Sequence, residues 1–349
     1  MDQNNMTPFR KGYHFPAEWE NHRATWLSYP HDDSYSWPGT LERIFPFYNR
    51  FIKELSKGEQ VCINVRNEGL KAKVAHDLAA IGVDMGRITL LVHPTNDAWC
   101  RDHGPAFVVN PASKEPKGVV SWRYNAWGNK YDHDLDEQIP GLVARHLGIP
   151  VWYPGIVMEG GAVDFNGKGT LLTTTQCLLH ENRNPDLFQH EIEEYLRNYY
   201  GVEQILWLDE GIEGDDTNGH IDDITRFFRE DAVVTMVEPD RSDPNHDILA
   251  ENLKLLKSFR LISGKQLDIA ELPMPAPVVY EGQRLPASYA NFYIANGRLI
   301  VPNFRCKQDD QAMRILEECF PGREITPIDS VEIIWGLGSF HCLSQQEPA

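Results

Sequence analysis

Along the whole chain, stretches with apolar residues at helical spacing alternate with short runs rich in β-branched and aromatic residues. That alternation limits the fold more than any other feature. Leu70, Val74, Leu78 and Ile81 predict a helix stopped at Gly82, and Leu187, Phe188, Ile192, Leu196 and Tyr199 predict another between Pro185 and Gly201. Ile248, Leu249, Asn252, Leu253 and Leu256 repeat the pattern, as do Ala312, Ile315, Leu316 and Cys319 before Pro321-Gly322. A stripe of Phe47, Tyr48, Phe51, Ile52 and Leu55 is expected to begin near Pro46, because proline fits the first turn of a helix. Strands are predicted at 61–65, 88–92, 106–109, 119–124, 171–179, 205–208, 233–237, 291–295, 299–301 and 332–335. The expectation is an α/β architecture. No glycine-rich phosphate loop follows an early strand, so the fingerprint of a nucleotide-binding fold is missing.

With 349 residues, 42% of them hydrophobic, the chain can bury a large core, and no low-complexity stretch divides it. Residues 1–349 are therefore read as one domain. The formal charge of −18 argues against nucleic acid and anionic membrane surfaces as partners, and mildly favours a cationic ligand. The first residues lack an apolar signal region and no uncharged run approaches the roughly 20 residues of a membrane span, which suggests a cytoplasmic protein. Cys62, Cys100, Cys177, Cys306, Cys319 and Cys342 show no CxxC pairing, so neither a disulfide framework nor a cysteine-rich zinc site is indicated.

Five polar or reactive signals interrupt this background. They are centred on Asp102, Glu159, His220, Asn291 and Cys342, at separations of 57, 61, 71 and 51 residues. Such spacing suggests one signal per unit of a closed, roughly five-fold arrangement. Cys342 lies in the glycine-bracketed turn Gly336-Leu337-Gly338-Ser339-Phe340-His341-Cys342, which suits a nucleophile presented on a turn but is equally open to a buried structural thiol. His220 and Asp222, two apart, would face one site on an extended strand, where nearby carboxylates favour the imidazolium; a solvated acidic loop is the plainer alternative. Asp102 beside Arg101, and Glu159 before two glycines, read by themselves as turn residues. His, Asp, Glu and Cys are also metal ligands, yet HExxH and CxxC are absent and HxD alone is weak, so no metal is expected.

Taken in order, these strings resemble the agmatine deiminase family, which includes bacterial-type peptidylarginine deiminases among the guanidino-group-modifying enzymes. The resemblance covers nearly the whole chain. It is carried by Pro16-Ala17-Glu18-Trp19-Glu20, Ala24-Thr25-Trp26-Leu27, Asn96-Asp97-Ala98-Trp99-Cys100-Arg101-Asp102-His103-Gly104-Pro105, Asn125-Ala126-Trp127-Gly128, Glu159-Gly160-Gly161 and Asn182-Arg183-Asn184-Pro185. It continues in Asp216-Thr217-Asn218-Gly219-His220-Ile221-Asp222, Ala287-Ser288-Tyr289-Ala290-Asn291-Phe292-Tyr293 and Gly338-Ser339-Phe340-His341-Cys342-Leu343-Ser344-Gln345-Gln346. Two departures are visible: a third glycine common before the cysteine is missing, and Asp223 stands where asparagine is frequent.

The resemblance implies a pentein α/β propeller, five ββαβ-like units with pseudo-five-fold symmetry around a central active-site channel. It implies Cys342 as nucleophile, His220 as general acid/base, Asp102 and Asp222 as the carboxylates that grip a guanidinium, and Glu159 as the acid that orients the histidine or supports the site. Asn291 is expected either at the substrate or positioning the backbone, and Trp99 and Trp127 at the substrate, with Trp127 or an acid in Tyr131-Asp132-His133-Asp134 meeting its tail. A guanidinium is a poor electrophile, so a thiolate and fixed geometry are needed, and a proton must reach the leaving nitrogen. The expected reaction is hydrolysis of agmatine to N-carbamoylputrescine and ammonia, a step of putrescine formation, through an amidino-cysteine and without metal or organic cofactor. Deimination of peptidyl arginine is the alternative; a metal-dependent amidohydrolase and a non-catalytic cation binder are remoter ones. The only partner expected is a small cationic guanidino substrate, and a homo-oligomer is left open.

Overall fold

In the computed structural model, which describes residues 7–349, one strand order recurs five times: two antiparallel strands, a helix, and a third strand parallel to the second. Ala106–Val109 and Lys117–Val120 pair antiparallel, the helix Ile139–Leu147 follows, and Val151–Trp152 returns parallel. The next unit uses Asp164–Phe165, Thr170–Thr174, the helix Gln189–Tyr200 and Gln204–Leu208. A third uses Thr225–Arg229, Ala232–Val237, the helix Asn245–Ser258 and Asp268–Pro273. A fourth uses Tyr293–Ala295, Arg298–Asn303, the helix Asp309–Cys319 and Glu324–Asp329. The remaining unit joins the two ends of the chain. Ser344–Pro348 pairs antiparallel with His22–Ser28; after the helix Leu41–Ser56, Gln60–Val65 joins His22–Ser28 in parallel, and beyond a second helix Glu68–Ala80, Ile88–Val92 joins Gln60–Val65 in parallel. A hairpin of Val279–Tyr280 and Gln283–Arg284 stands outside the units.

The α/β alternation and the five ββαβ units agree with the sequence reading. The central strand of each unit is paired on both edges and nearly uninterrupted in its burial, as Val61, Ile63, Val233, Val234, Leu299, Ile300 and Val301 show, so it reads as a continuous apolar run. Helices cover these sheets with one apolar stripe each; in Leu41–Ser56 it is Leu41, Ile44, Phe45, Tyr48, Phe51, Ile52 and Leu55. Among the described residues no helix is long and apolar enough to cross a membrane. All six cysteines are unpaired.

Several boundaries differ from expectation. The first long helix starts at Leu41 and carries Pro46 inside it; the apolar stripe runs on through the proline, so packing outweighs one missing hydrogen bond. The segment expected as a strand over 171–179 leaves its sheet at Thr174, whose side chain accepts from the Cys177 N–H and caps a helical turn, Thr175–Leu178. The predicted strand 119–124 ends at Val120, and 332–335 falls in the 3-10 turn Ile333–Gly336. Phe188 is the exposed N-cap of its helix and adds nothing to the buried stripe. The helix Ile139–Leu147 was not anticipated.

Candidate active site

Each of the five sequence signals lies immediately before the first strand of a unit. Asp102 precedes Ala106–Val109, Glu159 precedes Asp164–Phe165, His220 precedes Thr225–Arg229, Asn291 precedes Tyr293–Ala295, and Cys342 precedes Ser344–Pro348. Equivalent positions in repeated units converge, so segments far apart in the sequence supply one buried cluster.

Cys342 is carried on the turn that leads into the last strand. Gly336 and Gly338 serve close packing there: a β-carbon on Gly336 would stand 2.6 Å from the Trp37 ring, and one on Gly338 would stand 2.5 Å from the Trp99 ring. The left-handed residue of the turn is Leu337, with φ of 72°. The sulfur is 2.9 Å from Asn291 Nδ2 and 3.5 Å from Asp222 Oδ2. Burial, and then the charges of Asp222, Asp223 and Asp102, push the thiol well above the ordinary cysteine range, while the Asn291 hydrogen bond pulls it back.

Asp222 does not lie on a strand with His220; Ile221–Asp223 forms a 3-10 turn with His220 at its N-cap. Both side chains nevertheless enter the same cluster, because the turn buries Ile221 and leaves His220 Nδ1 4.0 Å from Asp222 Oδ1. Asp222 Oδ2 is held by His341 Nδ1 at 2.6 Å, and His341 Nε2 meets Glu18 Oε2 at 2.9 Å. Burial opposes the Asp222 charge most strongly, but the His341 bond together with the positive charges of His341, His220 and Arg226 outweighs it, and the carboxyl lies below its usual range. Asp223 goes the other way, raised by burial and by Asp222.

His220 is fully enclosed. Its Nδ1 is 3.7 Å from Asp102 Oδ1 and its Nε2 is 3.9 Å from Glu159 Oε2, and neither nitrogen has a hydrogen-bond partner among the described residues. Burial disfavours the imidazolium, yet Asp102, Cys177 and Asp222 together raise it well above the ordinary histidine value. Asp102 accepts from the Gly161 N–H at 2.9 Å and from Trp127 Nε1 at 3.0 Å, so both its oxygens are fixed. Burial raises its carboxyl to about 6. Glu159 is tied to Arg183 Nε at 2.6 Å with both side chains fully buried.

A cavity of about 300 Å³ opens onto this cluster, lined by Trp99, Asp102, Trp127 and Cys342 and, toward its mouth, by Tyr131, Asp216, Tyr280, Glu281 and Trp335. His220, Glu159, Asp222 and Asn291 are buried outside that lining. Asp132 and Asp134 do not line it, whereas Tyr131 does and donates to Asp216 Oδ2 at 3.1 Å. Trp127 sits in a left-handed conformation, φ of 55°, which turns its indole onto Asp102. Two sets of buried donors have ligand atoms within 4.8 Å of one another, Glu159-Cys177-His220 and Asp222-Asp223-Cys342. Chemically, such acceptors suit a compact cation, whether a metal ion or a planar guanidinium whose N–H groups match paired carboxylates.

Arg183, His341, Glu18, Asp223 and Cys177 were missed as site residues. Arg183, His341 and Glu18 stood inside the strings quoted above, but their partners lie elsewhere in the chain: His341 reaches Asp222 across 119 residues and Glu18 across 323.

The chain matches the Porphyromonas-type peptidyl-arginine deiminase family over residues 14–348. An agmatine deiminase of Ectopseudomonas mendocina is 33% identical over 368 aligned positions, covering 98% of this chain and 97% of that protein. The structure of the agmatine deiminase of Enterococcus faecalis superposes with a TM-score of 0.91 at 28% identity, over 98% of this chain and 97% of that one. A substrate-bound agmatine deiminase of C. jejuni gives 0.88 at 31% identity, over 97% and 96%. DDAH from Pseudomonas aeruginosa, 14% identical with a TM-score of 0.53 over 93% and 99%, shares the fold alone.

Proposed function

Because the chain belongs to the Porphyromonas-type peptidyl-arginine deiminase family, whose agmatine deiminase relatives hydrolyse amidine C–N bonds, we propose that it deiminates agmatine to N-carbamoylputrescine and ammonia, with Cys342 as nucleophile. The observation that carries this reading is a buried excess of acceptors at the end of a small cavity. Asp102, Asp222, Asp223 and Glu159 surround His220 and Cys342, and Asp222 Oδ1 and Glu159 Oε2, though about 4 Å from the His220 ring nitrogens, have no hydrogen-bond partner among the described residues. Unpaired buried acceptors are costly, and a guanidinium supplies the missing N–H groups and positive charge together.

In this reading Asp102 and Asp222 hold the guanidinium carbon over the Cys342 sulfur. The cation offsets the carboxylates that oppose the thiolate, so substrate binding favours its own nucleophile. Attack forms the S–C bond as a C–N π bond opens; His220, charged in its carboxylate shell, protonates one nitrogen, which departs as ammonia. Neutral His220 then takes a proton from water attacking the amidino-cysteine, and collapse of that adduct frees the ureido product and the thiol. Residues 1–349 are taken as one domain, and no step calls for a cofactor. Agmatine is preferred over peptidyl arginine because the cavity lies at the low end of about 300–1,000 Å³ typical of small-molecule sites, and carries Glu281 at its aromatic mouth, where a second positive charge would sit; Asp216, also at the mouth, is already paired with Lys130 at 3.0 Å.

The test is a panel of agmatine, free arginine and C-terminal or internal peptidyl arginine under one buffer, with intact-mass analysis of quenched turnover. Agmatine should show the highest kcat/KM and an amidino adduct on Cys342, which Cys342→Ser abolishes. Faster turnover of peptidyl arginine would move the assignment to the alternative substrate. An adduct on another cysteine, or normal turnover by Cys342→Ser, would remove Cys342 from its role.

A further inference from the structure

Four consecutive residues, Ala126, Trp127, Gly128 and Asn129, have φ of 46°, 55°, 102° and 60°. They make one turn of left-handed helix. A residue with a β-carbon is crowded by its own carbonyl there, so the conformation is normally visited singly, by glycine or asparagine. A run that includes Ala126 and Trp127 persists because its surroundings hold it. Asn125 Oδ1 accepts the Gly128 N–H at 2.9 Å, and Asn125 Nδ2 donates to the Asn182 carbonyl at 2.9 Å. Asn182 Nδ2 in turn donates to the Trp127 carbonyl at 3.3 Å and to Asn218 Oδ1 at 3.2 Å, while Asn182 Oδ1 accepts from Arg183 Nη1 at 2.6 Å. The guanidinium fixes the amide's orientation, because turned over it would face Arg183 with its NH2 and the Trp127 carbonyl with its oxygen. A β-carbon on Gly128 would stand 2.3 Å from Asn182 Nδ2, so the amide is packed against the turn itself. A further tie, Lys130 Nζ to Asp216 Oδ1 at 3.0 Å, is partly exposed and correspondingly screened.

The shape of the turn decides where its one large side chain goes. Trp127 Nε1 is 3.0 Å from Asp102 Oδ2, and the indole meets the Tyr131 ring edge-on at 5.9 Å. We propose that Asn182 is a positioning residue for the reaction: it clamps the left-handed turn and thereby keeps the Trp127 N–H on Asp102. The proposal rests on reading Asp102 as a carboxylate that grips the guanidinium. A donor on Asp102 favours its ionised form and fixes one oxygen, so the grip is preformed when the substrate arrives. Arg183 reaches Asn182 from the other side, and its Nε holds Glu159 Oε1 at 2.6 Å. One chain of contacts therefore joins the acid beside His220 to the acid on the cavity wall, and Asn182 is the link from the first to the turn. No proton or covalent bond changes at Asn182.

Asn182→Ala removes the amide, and Asn182→Asp keeps an oxygen for Arg183 but offers no N–H to the Trp127 carbonyl. Trp127→Phe keeps an aromatic ring and removes the donor to Asp102. Kinetics are measured on agmatine, or on whichever guanidino compound of the panel turns over fastest. Loss of one hydrogen bond to a charged group corresponds to roughly a 10- to 100-fold change, so Trp127→Phe should lower kcat/KM by about that much and each Asn182 variant by about 10-fold. The double variant Asn182→Asp/Trp127→Phe should stay within about threefold of Trp127→Phe alone, because Asn182 acts through an indole that is already gone. Fluorine NMR of protein labelled with fluorotryptophan reads the clamp without turnover. The Trp127 resonance, assigned by its loss in Trp127→Phe, should shift or broaden in Asn182→Asp. Circular dichroism and melting confirm folding; if Asn182→Ala does not fold, Asn182→Asp carries the test. Losses that multiply in the double variant, wild-type kinetics in Trp127→Phe or in a folded Asn182 variant, or an unmoved Trp127 resonance each overturn the proposal. Failure of the guanidinium reading shows separately, as wild-type turnover in Asp102→Asn while the resonance still moves.

Discussion

Replacing Arg183 with methionine tests whether the site is held by the ion pair beneath it. Arg183 Nε donates to Glu159 Oε1 at 2.6 Å, Nη1 to Asn182 Oδ1 and Asn218 Oδ1 at 2.6 and 2.9 Å, and Nη2 to the Thr217 carbonyl at 2.7 Å. Neither Arg183 nor Glu159 exposes any of its side chain. Arg183→Met keeps most of the apolar stem but leaves Glu159 as an uncompensated buried charge, and breaking such a pair costs about 3–5 kcal/mol. Glu159→Gln removes the charge and keeps an acceptor, so the double variant should recover part of that loss. Urea unfolding of wild type, both single variants and the double variant gives the coupling, expected at about 2 kcal/mol or more. Activity of Arg183→Met should fall with stability, because a Glu159 that takes up a proton withdraws the charge 3.9 Å from His220 Nε2. A loss below about 1 kcal/mol with negligible coupling would show that the pair is incidental, since other surroundings would then satisfy Glu159.

Two further outcomes follow from the same geometry. Asp102 must be ionised to grip a cation, and burial raises its carboxyl to about 6; kcat/KM should therefore fall as pH drops through about 6. Asp102→Asn should lower kcat/KM at neutral pH by roughly 10- to 100-fold and flatten that acid limb, and an unchanged limb in the variant would assign it to another group. Gly161→Ala should inactivate the protein, because a β-carbon there would lie 2.6 Å from His220 Nδ1 and 2.8 Å from Asp102 Oδ1. Near-normal kinetics in that variant would mean the cluster is looser than these distances say.

Alternation and periodicity were enough to read the architecture, because the central strands are buried on both faces and the helices carry one stripe each. The same cues failed where side chains override local pattern. Pro46 sits inside its helix because Phe45, Tyr48 and Phe51 pack on either side of it, and the 171–179 run splits because the Thr174 hydroxyl caps a turn. The placement of His220 and Asp222 together was anticipated on the wrong geometry, a strand in place of a 3-10 turn; the shared direction survives because the intervening Ile221 takes the core. Arg183, Glu18 and His341 could not be read as site residues, since each owes its chemistry to a partner supplied by another part of the chain.

The recurrence of one position in every unit explains how such a cluster can exist at all. Four buried carboxylates near one another repel, and each prefers water to the interior. They remain because each is fixed by groups that cannot move away: Gly161 and Trp127 on Asp102, Arg183 on Glu159, His341 on Asp222, Asn291 on Asp223. Those partners come from different units and from the pairing of Ser344–Pro348 with His22–Ser28, so the charge cluster is as stable as the sheets that surround it. Two of the clamps also bear on the sulfur: Asn291 touches it directly, and His341 is its chain neighbour. Closing the two ends of the chain into one sheet thus does more than hide a strand edge, because it brings Cys342 and His341 against residues from the other units and completes the acceptor set that a guanidinium fills.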